Sequence, residues 1–157
     1  NRALVDLVQS LDKNNCWADE NGLIVGKMNL SFEDFDAAQS LQYFENIHDH
    51  AKVDRIRYPW ELMQWNDRML RFDFEVLTRG KTSAAISPTN RYLDTEHIFI
   101  EPGAVVEHTI LNASTGPIYI GKHATIMEGS AIRGPFALGD HSVLKMNSRI
   151  YGATTLG

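Results

Sequence analysis

At 157 residues, 43% hydrophobic and 22% charged, the chain has the composition of a soluble globular protein, with room for one ordinary domain or two small ones. A formal net charge of −5 argues against a broad basic surface for nucleic acid. No apolar run approaches the roughly 18 residues needed to span a membrane, and no secretory leader is visible at the start. The single cysteine, Cys16, excludes an internal disulfide and suits a reducing compartment, so a cytoplasmic location is expected. A start at Asn1 without methionine, and a stop one residue into a repeat, read as a piece of a longer protein.

From Arg2 to about Lys13, Leu4, Leu7, Val8 and Leu11 recur at helical spacing. Cys16, next to Trp17 at the expected helix end, reads as buried packing rather than a nucleophile. Gly22-Leu23-Ile24-Val25-Gly26 is a short apolar run between glycines and predicts a strand. Ser31-Phe32-Glu33-Asp34 resembles a capping box and predicts a helix to about Asn46, with Phe35, Ala38, Leu41 and Phe44 inward. Asp49 to Arg57 reads as charged loop. His48-x-His50 has the spacing of a metal pair but lacks a third nearby ligand.

Tyr58-Pro59-Trp60-Glu61-Leu62 opens a second helix, with Pro59 in the first turn, where a missing N–H is harmless. Trp60, Met63, Leu70 and Phe74 would form its packing stripe. Lys81 to Asn90 reads as linker.

Beyond Ile98 the pattern changes. Ile120, Ile126, Ile132, Leu138, Leu144, Ile150 and Leu156 recur every six residues without a miss. Two residues before each stand Ile118, Ala124, Ser130, Phe136, Ser142, Ser148 and Thr154, which share the inward face of a strand. Tyr119, Thr125, Ala131, Ala137, Val143, Arg149 and Thr155 point outward. Ile100 and Val106 repeat the step, with Ala104 and Ile110 four residues after them. The longer gap from Val106 to Ile120 puts a loop at Asn112 to Pro117. The phase predicts a parallel β-helix.

Ile120-Gly121, Ile126-x-x-Gly129-Ser130 and Leu138-Gly139 resemble the hexapeptide repeats of left-handed β-helix proteins, mostly acyltransferases. In that family residues eighteen apart stack, which would align Gly121 with Gly139 and His123 with His141. The Tyr58-Pro59-Trp60-Glu61-Leu62 helix and the run Ile132-Arg133-Gly134-Pro135 are similar to bifunctional sugar-1-phosphate uridylyltransferase/glucosamine-1-phosphate N-acetyltransferases, in their divergent bacterial branch. The resemblance implies an α/β part from a nucleotidyltransferase-like domain (1–57), a linker helix and loop (58–90) and a truncated left-handed β-helix (91–157). It implies UDP-N-acetylglucosamine biosynthesis in the parent, with acetyl-coenzyme A and Mg2+ as cofactors and sugar phosphate and nucleotide as ligands. It also implies a homo-oligomer such as a trimer, which Val143 and Ala137 would pack laterally. Nucleic acid and membrane are not expected partners. The alternative is a non-catalytic β-helix that oligomerises or regulates a glucose-1-phosphate nucleotidyltransferase.

The glycine-rich phosphate loop of such transferases is absent from this sequence, and the catalytic residues are expected outside it. Arg133, Lys145 and Arg149 form a cation group that would bind a sugar phosphate; the alternative is a solvated surface. One of His123 and His141 would act as general base toward an amine; the alternative is an exposed turn column. His97 and His108 are isolated.

Overall fold

A computed structural model of the chain describes residues 2–49 and 54–157. They form two compact units, Asn1–Arg55 and Ile56–Gly157. The side chains of Leu4 and Leu7, and the whole of His50, lie outside the described residues.

In the first unit, helix α1 (Arg2–Gln9) stops short of the expected Lys13. The chain turns at Asn14, whose φ of 64° lies in the left-handed region. It then enters strand β1 (Asn15–Asp19), which pairs antiparallel with β2 (Gly22–Lys27) and parallel with β3 (Asn46–Asp49). Cys16 therefore sits in a central strand rather than at a helix end, fully buried, and burial pushes its thiol pKa up. Arg55 clamps the β1–β2 turn, donating to the Asp19 carboxylate at 2.8 Å and to the Gly22 and Leu23 carbonyls at 2.9 and 3.1 Å. Gly26 is required where it stands, because a Cβ there would lie 2.1 Å from the Phe44 ring.

The helix expected after Ser31 does not form. Two 3-10 segments, Phe32–Asp34 and Ala37–Tyr43, take its place. The Ser31 hydroxyl accepts from the Asp34 N–H at 3.2 Å, so the cap exists, but Asp36 then accepts from the Ala38 N–H at 2.9 Å and starts a new turn. Closely spaced side-chain caps compete with a continuous helix for the same backbone donors. Of the residues expected inward, Phe44 is buried, Leu41 is half-buried, and Phe35 and Ala38 are exposed.

The second unit opens with α2 (Glu61–Thr78), whose Glu61 carboxylate accepts from the Arg57 and Tyr58 N–H groups at 2.6 and 3.2 Å. Leu70 and Phe74 are buried as expected, but Trp60 and Met63 are exposed. Trp60 is the N-cap and stacks on Tyr58, with ring centroids 4.6 Å apart. The helix is first tied to the β-helix at Asn66, which donates to the Ala153 carbonyl at 3.0 Å and accepts from the Thr155 hydroxyl at 2.9 Å.

The remainder is a left-handed parallel β-helix of hexapeptide repeats. Its strands in order are β4 (Arg91–Leu93), β5 (Ile98–Ile100), β6 (Val105–Val106), β7 (Ile110–Asn112), β8 (Ile118–Ile120), β9 (Thr125–Ile126), β10 (Ala131–Arg133), β11 (Phe136–Leu138), β12 (Val143–Leu144), β13 (Arg149–Ile150) and β14 (Thr154–Leu156). They make three parallel faces: β4-β7-β10-β13, β5-β8-β11-β14 and β6-β9-β12. From β8 onward, paired residues are eighteen apart, as in Ile118 with Phe136 and Phe136 with Thr154.

The first coil is longer. Leu111 pairs with Ile132 and is fully buried, whereas Ile110 is exposed. The corner after Val106 is thus one residue short of the six-residue step, and the turn before Ile118 takes up the surplus. Ile120, Ile126, Ile132, Leu138 and Leu144 fill the interior, and Ile150 is half-buried on the last rung. Two corner columns hold left-handed residues: Gly103, His123 and His141, and His108, Gly129 and Asn147. Helix α2 shares a groove with outward residues Tyr119, Ala137 and Thr155 of the second face. Ala137 therefore does not share an open face with Val143, which stands on the third.

The segment read as linker lies against the first coil. The Ala84 N–H donates to the Ile100 carbonyl at 2.8 Å, and the Ser83 hydroxyl accepts from the Ile100 N–H at 2.9 Å. Buried Asn90 donates to the Val106 carbonyl at 2.7 Å and accepts from the Thr109 N–H at 2.9 Å. Such a cover satisfies the end of a stack that has no coil above it.

Leu138 and Leu156 occupy one column, 1% and 38% exposed. Leu138→Ala should lower unfolding free energy by about 3 kcal/mol and Leu156→Ala by under about 1 kcal/mol. Denaturant melts of both variants check this, and equal losses would contradict the packing described.

Candidate functional site

Arg133 and Arg149 project from the outer side of the first face, on adjacent strands β10 and β13. They line one shallow depression of about 280 Å³ with Ile110, Asn112, Ala131 and Tyr151, and no carboxylate lines it. Arg149 is fixed by its own backbone surroundings, donating to the Gly129 carbonyl at 2.6 Å and the Ser148 carbonyl at 3.2 Å. Arg133 is exposed and makes no hydrogen bond or ion pair with the described residues. Asn112 has its carboxamide oxygen held by the Ser114 N–H and hydroxyl, at 3.0 and 2.6 Å. Two guanidinium groups without a neighbouring acid make the depression suited to an anion, and guanidinium forks match the oxygens of a phosphate.

Lys145 does not line this depression. It is exposed at the corner between the third and first faces, and its carbonyl accepts from the Ser130 and Ser148 hydroxyls at 3.2 and 2.7 Å. The three cations expected to act together are thus a pair on one face and a third on an adjoining corner.

His123 and His141 stack as the eighteen-residue spacing implies, with ring centroids 5.2 Å apart. Their corner joins the second and third faces, so within one chain they stand on the edge opposite the arginine face. The Asp140 carboxylate beside them accepts from the Lys122 N–H at 2.8 Å. His48 faces Trp17, ring centroids 5.0 Å apart. Among the described residues no group of three or more His, Cys, Asp and Glu could hold a metal ion.

A charged cluster escaped the sequence reading. Glu101 is 4% exposed, and one of its oxygens accepts from the Lys81 ammonium at 3.0 Å and the Tyr119 hydroxyl at 3.1 Å. The Lys81 hydrogen bond, foremost, holds the Glu101 carboxyl below its usual range. Burial, with Glu101 adding to it, pushes the Tyr119 phenol up to about 12. Eighteen residues separate Glu101 from Tyr119, but Lys81 fell in a stretch without repeat phase. The cluster ties the covering segment to the second face, where Tyr119 also stacks on Phe99 at 6.0 Å.

The described chain is an α/β unit and a helix running into a hexapeptide β-helix, one face of which carries two neighbouring arginines. A family model for sugar nucleotidyl transferases matches residues 1–82, just over half of the chain, and the chain belongs to that family. The match takes in the first unit and α2 and ends at Thr82, inside the segment that covers the first coil. No curated protein and no solved structure matches the chain. No described helix is long and apolar enough to cross a membrane.

Because the Glu101 pKa is depressed in the folded state, its stabilisation is present above the unfolded carboxyl pKa, about 4.3, and is lost as pH falls through the lower folded value. With Lys81 half exposed to screening, Glu101→Gln should cost about 1 kcal/mol at neutral pH. Thermal melts should show the gap to wild type narrowing as pH falls below about 4 and closing once Glu101 is protonated in the folded state as well.

Proposed function

We propose that the chain is part of a sugar-nucleotide biosynthesis enzyme of the uridylyltransferase/glucosamine-1-phosphate N-acetyltransferase kind. Nucleotidyl transfer belongs to the domain that includes the first unit, and acetyl transfer from acetyl-coenzyme A belongs to the β-helix. The observation that carries this reading is the continuity of a sugar nucleotidyl transferase match with a hexapeptide β-helix whose open face presents Arg133 and Arg149.

In this reading the arginine pair binds the phosphate of an amino-sugar phosphate, and Lys145 adds a more distant positive charge. The free amine attacks the thioester carbonyl, a C–N bond forms as the C–S bond breaks, and the thiol leaves. A base takes the proton lost by nitrogen. His123 or His141 of the same chain stands on a different edge from the arginine pair, so that base comes from elsewhere, as from a neighbouring subunit of an oligomer.

The same separation also favours a second reading, a β-helix that oligomerises or regulates a glucose-1-phosphate nucleotidyltransferase without chemistry of its own. Calorimetric titration of the chain with glucosamine-1-phosphate separates them. Under the first reading it binds, Arg133→Ala weakens binding about ten- to hundredfold, as expected for a lost charge-assisted phosphate contact, and Lys145→Ala has a few-fold effect. Absence of binding, or binding indifferent to Arg133, removes the acetyl-transfer reading.

A further inference from the structure

Helix α2 carries two apolar stripes, and the β-helix covers one of them. Leu70 and Phe74 make the covered stripe. The other runs Leu62, Trp65, Met69, Phe72 and Val76, with alternating steps of three and four residues. Leu62, Phe72 and Val76 are each about half exposed, at 58%, 49% and 51%, and Met69 is 36% exposed. At about 100° per residue, this second stripe is centred well over 90° from Leu70 and Phe74; Met69, at its near edge, also borders the groove with the β-helix, whereas Leu62, Trp65, Phe72 and Val76 do not. Steps of three and four are the spacing at which side chains of one helix fit as knobs into holes of another.

We propose that this stripe is the seam of a two-fold, antiparallel pairing with α2 of a second copy of this chain. Size and charge select that arrangement. A parallel, in-register pairing would oppose Trp65 to Trp65 of the second copy and Phe72 to its Phe72, crowding two layers. The antiparallel arrangement opposes Trp65 to Val76 of the second copy and Met69 to its Phe72, setting the largest residue of the stripe against the smallest. It also places Arg68 beside Glu75 of the second copy, and by symmetry the pair occurs twice. Arg68 already lies over the edge of the seam, its guanidinium 5.0 Å from the Trp65 ring centroid. Glu75 is exposed and has no hydrogen bond or ion pair to a described residue. The stripe covers two heptads, about 21 Å, too short to pair as free peptides. Here the β-helix holds α2 in place beforehand, so the ordering cost of pairing is smaller.

Charge reversal tests the pairing. Sedimentation velocity of the chain over a roughly hundredfold concentration range should show reversible dimers. Arg68→Glu alone sets carboxylate against carboxylate at each opposed pair, and Glu75→Arg alone sets guanidinium against guanidinium, so each should weaken association about tenfold. Mixing the two variants in equal amounts should restore it, because both opposed pairs of the mixed dimer then join a carboxylate to a guanidinium, one pair with the native polarity and the other with it reversed. Phe72→Asp, at an exposed position, should abolish association while the thermal melt stays cooperative. A wild-type monomer at every concentration would overturn the proposal and leave the stripe to another part of the chain or to a different partner. So would dimers indifferent to Phe72→Asp. Loss with Arg68→Glu but not with Glu75→Arg, or failure of the mixture to restore association, would exclude the antiparallel arrangement.

Discussion

The second unit depends on one constraint: a strand of two or three residues cannot satisfy its own backbone. β9, Thr125–Ile126, has hydrogen-bonding partners only in the coils on either side, through β6 and β12. Neighbouring coils must therefore keep register, and that register brings inward side chains into columns. Ile120 rests on Leu138 and Ile126 on Leu144 because their strands are bonded in that alignment. Were an inward aliphatic shifted by one position, its polar neighbour would be driven into the core. The six-residue phase is the trace of that requirement in the sequence.

The same constraint explains what was legible. Where coils repeat at eighteen residues, the inward column could be read from the six-residue spacing, and the histidine stack from that spacing together with the three-repeat coil the family resemblance implies. Legibility failed in the first coil. A corner one residue short turned Thr109 and Leu111 inward in place of Ile110, and no local feature of Ile110-Leu111 marks which of two adjacent aliphatics turns inward. It failed again between Ser31 and Asn46. Each local cap there was identifiable, but the competition between Ser31 and Asp36 for neighbouring N–H groups is settled only by the fold around them. The Lys81–Glu101 pair was invisible for a third reason. Lys81 lies in a stretch with no periodicity, so its partner is chosen by tertiary approach.

The candidate site follows a similar division. The repeat put Arg149 on an outward-facing position and Arg133 directly after the inward Ile132, and the structure sets both around one depression. Lys145, only four residues before Arg149, stands on a corner instead. On a β-helix, sequence neighbours diverge around the prism while residues eighteen apart converge, so closeness in sequence is a poor guide to a shared site.

That geometry bears on how any chemistry on this scaffold would be assembled. A prism of parallel faces is rigid and holds its side chains at fixed heights, which favours precise placement of a ligand anion. It also keeps groups on different edges apart. The arginine pair lies on one face and the histidine stack on the opposite edge, with the packed aliphatic core between them. No rotamer change brings them together across that core. A scaffold of this kind can unite two such sets only by laying an edge of one prism against a face of another. Under the acetyl-transfer reading, self-association of the β-helix would then be part of building a complete site. The open first and third faces leave room for it, while the second is engaged with α2.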